Sequence, residues 1–341
     1  MAHIHSASST TRAVGISVVV SVVVGLLIAW FAWPAKELAP RDLPVVVAGP
    51  PAATTVLADR LATARPGAFE VTAVPDAAAA DAALRDRSAY AAFIVGPTGL
   101  ALHTASGASP TVAQLLTAAA AELPGAGGPG AGPSVTVVDV APGSAGDPRG
   151  AGFASGFLPL ILAGMLSGIL FALLLTGLGP RLLGLGLVSL FVGAVGAGVL
   201  TWLDVIQGHY FAAAGVVALL TLAVSGAVAG LGAALGRPGI GLGVLLVFLL
   251  GNPISAVAAA PELLPQPWGE IGQLLPPGAG ATLLRSAVFF DGAGSAAPLW
   301  TLLAWAAAGL TLVVVAGSRR TLVLRATDSR PAADQAELAT R

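Results

Sequence analysis

Long apolar runs separated by short polar breaks make up most of this chain, with one extended polar interval near its start. Residues 13–33 are apolar throughout and end at Pro34, after a polar stretch in which Arg12 is the only full charge. A run of about 20 apolar residues is long enough to cross a bilayer. Trp30, Phe31 and Trp33 suit an interfacial anchor better than the small-residue cleavage site of a signal peptide. Residues 13–33 are therefore read as an uncleaved first span with a cytoplasmic N-terminus, residues 1–12. Five more runs follow at 153–178, 182–203, 211–235, 240–260 and 299–316, the run at 240–260 being bent at Pro253. The pattern predicts a polytopic α-helical membrane protein with six transmembrane helices. Spans two to six occupy residues 151–317, followed by a tail at 318–341.

Between the first two spans, residues 34–150 change character. Charges return, and short alternating runs replace the long ones. Strands are predicted at 43–48, 69–74, 90–95, 99–103 and 134–140, with helices at 52–64, 76–87 and 111–123. Asp76 is placed to cap the second of these helices. A Gly/Pro/Ala linker fills 123–133. The interval reads as a small α/β domain able to support one modest core, and able to fold when residues 40–145 are expressed alone. His103 and Tyr90 are its lone candidates for chemistry, and satisfied surface residues are the plainer reading of both.

Sidedness follows from the arginines, which favour the cytoplasm near span ends. With six spans, Arg12, Arg181, Arg237, Arg319, Arg320, Arg325 and Arg330 fall on one side. Asp204, His209, Glu262, Glu270 and Asp291 fall on the other. The α/β domain is thus expected to be extracytoplasmic, with both termini cytoplasmic in the cell membrane. The tail is expected to be polar and disordered beyond Asp328.

The stretch 251–292 joins the last two spans and is too long and too proline-rich for a hairpin. Pro253, Pro261, Pro265, Pro267, Pro276 and Pro277 forbid one continuous helix. Broken backbone at membrane depth survives only where protein or water satisfies it. Two short helical pieces, 256–263 and 279–290, are expected within a re-entrant or interfacial loop at 252–297, lying against the ends of spans five and six. Trp268, Phe289 and Phe290 suit an interfacial belt. Arg285 would be costly to leave unpaired there, so Glu270 or Glu262 is expected to meet it. These residues, with Pro253, Pro265, Pro276 and Pro277, form the candidate functional loop; an ordered loop without chemistry is the alternative.

Composition narrows the function. Hydrophobic residues make up 56% of the 341 and charged residues 10%, against about 25% charged in soluble domains. A net charge of −1 and no basic stripe exclude a nucleic-acid partner. There is no Cys, so no disulfide, thiolate site or Cys nucleophile. His3, His5, His103 and His209 lack zinc-helix spacing, and a weak pairing of His3 with His5 is outweighed by a floppy terminus. No ionisable residue sits mid-span, which argues against proton or sodium coupling. No Walker A, GxSxG or HExxH sequence occurs, so no enzymatic activity, cofactor or metal is expected. Small residues at four-residue spacing (Gly164/Gly168, Gly193/Ala197, Gly226/Gly230) predict close helix packing and a homodimer or heterodimer in the bilayer.

Three stretches carry a resemblance. They are VVVAG at 45–49, DAALRDRSAYAAFIVGPTGL at 81–100, and the Leu-Pro, Trp, Pro-Pro-Gly and Arg-x-x-x-Phe-Phe elements of 262–292. With the order of one span, α/β domain and five spans, the chain resembles the ABC-2-type permease superfamily, nearest its branch of phage-infection-protein (Pip)-like membrane proteins. That implies the membrane subunit of an exporter working with a separate cytoplasmic ATPase on a hydrophobic or envelope substrate. The Pip-like branch also implies an alternative, a non-transporting envelope scaffold, receptor or secretion accessory. Unlike most of that superfamily, this chain has only a short polar N-terminus and little more than Gly179-Pro180-Arg181 between spans two and three.

Overall fold

The computed structural model describes residues 2–97, 99–121 and 135–328; the linker at 123–133 and the tail beyond Asp328 lie outside them. Helix α1 (Ala2–Lys36) carries the first apolar run. Its apolar part, Ser9–Lys36, begins before the expected span and passes Pro34. A proline in the last turn removes one donor, and the helix ends two residues later.

The α/β domain follows as β1 (Leu43–Ala48), α2 (Pro51–Ala64), β2 (Phe69–Val74), α3 (Ala77–Arg85), β3 (Ala91–Gly96), β4 (Gly99–Thr104), α4 (Pro110–Ala121) and β5 (Thr136–Asp139). The strands form one sheet in the order β2-β1-β3-β4-β5. Strand β1 runs parallel to both neighbours, Val45 lying opposite Val71 and Ala91. Strands β3 and β4 form the antiparallel hairpin, with Phe93 opposite Leu102, and β5 pairs parallel to β4. Asp76 caps α3 by accepting the Ala79 N–H at 2.8 Å.

Strand alternation divides the domain's apolar residues between two faces. Leu43, Val45 and Val47 meet Leu61 of α2 and Leu116 of α4 on one face. Val46 and Ala48 meet Ala80 and Leu84 of α3 on the other. Each face also takes residues from far along the chain. Ala259, Ala260 and Leu263 complete the first, and Phe290 the second.

The membrane part contains α5 (Ala151–Leu174), α6 (Leu178–Trp202), α7 (Tyr210–Leu235) and α11 (Ala296–Asp328). With α1, these make five helices long and apolar enough to cross a membrane. The chain is therefore a mostly helical, polytopic membrane protein. Helix α7 is the buried centre of the bundle. Small residues allow this. Gly168 of α5 faces Ser225 and Val228, Gly193 of α6 faces Ala214 and Ala218, and Gly230 faces Gly309 of α11. The small-residue faces predicted for close packing are occupied within the chain itself. Helix α11 continues to Asp328, so Ser318-Arg319-Arg320 does not break it.

The expected fifth long helix, 240–260, is not formed. Helix α8 (Arg237–Val244) has eight residues and runs into a wider π turn of six, Leu245–Leu250, where it stops. At 1.5 Å per residue this covers about 20 Å, short of the ~30 Å hydrocarbon core. Pro253 explains the stop: it has no N–H for the Leu249 carbonyl, and its ring would collide with that carbonyl.

Beyond it, the helical piece expected at 256–263 is absent. Ala256 has φ of +54°, incompatible with helix, and only a 3-10 turn forms at Pro261–Leu263. A short helix not expected from the sequence, α9 (Trp268–Gln273), follows. Helix α10 (Pro276–Phe289) replaces the second expected piece and starts three residues earlier, because Pro276 and Pro277 fit the first turn, where no N–H is required.

Candidate functional site

Helix α10 is not at an interface. Eleven of its fourteen residues are buried. Pro277 sits beside Gly251, where the short helix ends, and Gly280 faces Leu220 and Phe157 inside the bundle. Phe289 reaches Gly107 of the α/β domain. The helix therefore rises from within the bundle to the domain.

The breaks before α10 leave backbone carbonyls that no helix satisfies, and buried carbonyls need partners. Side chains from distant elements supply them. Trp30 of α1 donates its indole N–H to Leu249 at 2.6 Å, the carbonyl released by Pro253. Arg285 of α10 donates to Val257 at 2.6 Å, and Thr111 of α4 to Ala258 at 2.8 Å. Arg41 donates to Leu263 at 2.8 Å, and Trp305 of α11 to Leu274 at 2.8 Å. Trp268 packs edge-on against both Trp30 and Trp33, with ring centroids 5.4 and 6.3 Å away. Its aromatic surface is shared with α1 as well as the surroundings.

Arg285 does not pair with Glu270 or Glu262, as the sequence led us to expect. It is 4% exposed and faces α5, its guanidinium 4.4 Å from the centre of the Phe153 ring. Burial of α10 inside the bundle turns that side chain away from the loop carboxylates. Glu262 instead accepts a hydrogen bond from the Tyr90 hydroxyl at 2.9 Å, and Glu270 is exposed. Tyr90 is thus neither lone nor merely superficial. His103 is paired too, its Nδ1 lying 2.6 Å from Asp81.

Arg87, which the sequence did not single out, connects the domain to α10. It follows α3 with φ of +65°. It donates to the Thr282 carbonyl at 3.1 Å and to the Ser286 hydroxyl. Its guanidinium also lies 5.1 Å from the centre of the buried Phe290 ring. No local pattern announces these contacts, because Arg87 and its partners are nearly two hundred residues apart.

Glu262, Tyr90 and Arg87 line a cavity of about 600 Å³. Its walls come from the α/β domain, the broken segment, Thr282 of α10 and the first turns of α11. Glu270 is on its rim. Burial holds the Glu262 carboxyl above the ordinary carboxylate range, against the opposing influence of its backbone hydrogen bond, the Tyr90 hydroxyl and the Arg87 charge. Burial also raises the Tyr90 phenol and lowers the Arg87 guanidinium.

A second, more apolar cleft of about 290 Å³ separates α1 from α5, with Phe31, Phe157 and Pro253 on its walls. Thus Glu262 and Glu270 come together at the polar cavity and Pro253 lies at the apolar cleft. Pro276, Pro277, Arg285, Phe289 and Phe290 build α10 and its end. Pro265 accepts the Trp268 N–H at 2.9 Å and turns the chain into α9. Among the described residues, no group of three His, Cys, Asp or Glu side chains is arranged to hold a metal. No family model, curated protein or solved structure matches the chain.

Proposed function

We propose that the chain is the membrane subunit of an ABC-2-type exporter, acting with a separate cytoplasmic ATPase on a hydrophobic or envelope substrate. In this reading the α/β domain is extracytoplasmic and both termini are cytoplasmic. One observation carries it: the 600 Å³ cavity is walled jointly by the domain, the broken segment, α10 and α11. A movement of any of these parts against the others changes that space, as a transport cycle requires. The family resemblance in the sequence points the same way.

A different observation favours a non-transporting envelope scaffold of the Pip-like kind. The turns at the end of the bundle away from the domain are short, with Leu175 and Gly177 bounding one and Gly236 forming the other. They offer little surface to an ATPase. Purification of the full chain in mild detergent separates the two readings. The exporter reading expects a co-purifying subunit with a Walker A sequence, whose ATP hydrolysis rises severalfold when the two are reconstituted in liposomes. Absence of such a subunit, or hydrolysis indifferent to this chain, establishes the scaffold reading instead.

A further inference from the structure

We infer that the 600 Å³ cavity binds an amphiphile with a cationic, amine-type head and an apolar tail that enters from the bilayer. This deepens the exporter reading by naming a substrate class and rests on that reading only for the word substrate.

The cavity is amphipathic from top to bottom. Its upper wall holds Arg41, Asp42 and Glu70 of the α/β domain. Its lower wall reaches Leu274 and Thr301. Leu274 is 65% exposed, and its carbonyl accepts the Trp305 indole N–H. Trp305 lies about two turns into α11 from Ala297, on a helix of membrane-spanning length. One end of the space is therefore at the level of the domain and the other within the apolar layer. A wholly polar ligand leaves Leu274 uncovered, and a wholly apolar one strips water from the carboxylates without replacing it.

The charges select the head. Four carboxylates, those of Asp42, Glu70, Glu262 and Glu270, line the space with two guanidiniums. Both guanidiniums already serve the fold. Arg41 donates to the carbonyls of Glu37, Ala39 and Leu263, and Arg87 holds α10. None of the four carboxylates is ion-paired among the described residues. Glu262 is the most enclosed of them, and its hydrogen bond from Tyr90 fixes one oxygen. With four carboxylates against two guanidiniums the space is net negative, and a primary ammonium placed beside Glu262 offsets that excess, with further N–H donors for Gln266 and Glu270. An anionic head meets an excess of negative charge there.

The test uses the full chain in phosphatidylcholine nanodiscs, with empty nanodiscs as the baseline for partitioning. Octylammonium, octyl phosphate, octyl glucoside and propylammonium are titrated calorimetrically, without ATP or any partner. Octylammonium is expected to bind at least tenfold tighter than each of the other three. Glu262→Gln, which keeps an acceptor for Tyr90, is expected to weaken it at least fivefold with an unchanged melting temperature. Should that variant fold poorly, the exposed pair Glu70→Gln with Glu270→Gln must weaken binding at least twofold. Octyl phosphate or octyl glucoside binding as tightly as octylammonium overturns the inference. So does octylammonium binding that is indifferent to these substitutions. Because no ATPase is present, either result leaves the exporter reading to its own test.

Discussion

Arg285 illustrates how much one side chain does in the broken segment. It holds the Val257 carbonyl at 2.6 Å and covers the Phe153 ring, so it ties the segment, α10 and α5 together. A hydrogen bond to a charged donor contributes about 1.5–3 kcal/mol, and a desolvated cation–π contact about 2 kcal/mol. The two share one side chain and its burial cost, so their full sum is not expected. Arg285→Ala should cost about 2–4 kcal/mol and leave Val257 without a donor. Arg285→Lys retains the charge but loses the planar face over Phe153, and should recover about half. Unfolding of the detergent-solubilised protein, followed by circular dichroism, measures both. An Arg285→Ala protein as stable as the parent would show that neither contact contributes.

At the scale of elements, the broken segment belongs to two cores at once. Helix α10 fills the bundle between α5 and α7, while the turn before α9 fills the α/β domain. Leu263 is fully buried among Leu43, Leu61 and Leu116, although it lies about two hundred residues beyond β1 in sequence. Leu263→Ala should therefore cost about 2–5 kcal/mol, as for other buried leucines. It should also expose the amides of β1 to hydrogen exchange, which reads the domain directly. Protection of β1 at the parental level would mean that the domain is closed without the loop. The same sharing predicts that residues 40–145 alone melt less cooperatively than the domain within the full chain.

These elements were unequally legible in the sequence. The buried run of β1, the alternation of β2, the Asp76 cap and the long apolar helices follow from local pattern and were readable. The proline break was readable as a break. Where its pieces went was not, because a helix such as α10 is equally apolar at an interface or inside a bundle. Arg285 and Glu262 looked like partners only because they are near in sequence. The true partners, Phe153 and Tyr90, are brought together by the tertiary fold, and Arg87 carried no local signal at all.

For the whole molecule, the question is how many times the chain crosses the membrane when only five described helices are long enough. The ends of the long helices show which way each of them runs relative to the α/β domain. Ser144, before α5, donates to the carbonyl of Asp204, after α6, so those two ends meet at the α/β domain. His209, before α7, lies 3.2 Å from Asp291, which precedes α11. Helix α7 thus leaves the domain end and α11 starts from it. Between them the chain must return, and it does so through α8, the π turn, the broken segment and α10. No single helix makes that passage; short pieces make it, with carbonyls satisfied from outside. The chain has no Cys, so single-Cys variants need no background removal. Cys in place of Arg65, Gln207 or Ala293 should react with a membrane-impermeant maleimide from the same side. Cys in place of Leu235 should react only from the other. With an extracytoplasmic domain, the first three label in intact cells and the fourth only after permeabilisation. If Ala293 instead labels with Leu235, on the side opposite Gln207, the segment from α8 to α10 does not cross, and the approach of His209 to Asp291 is not kept in the bilayer.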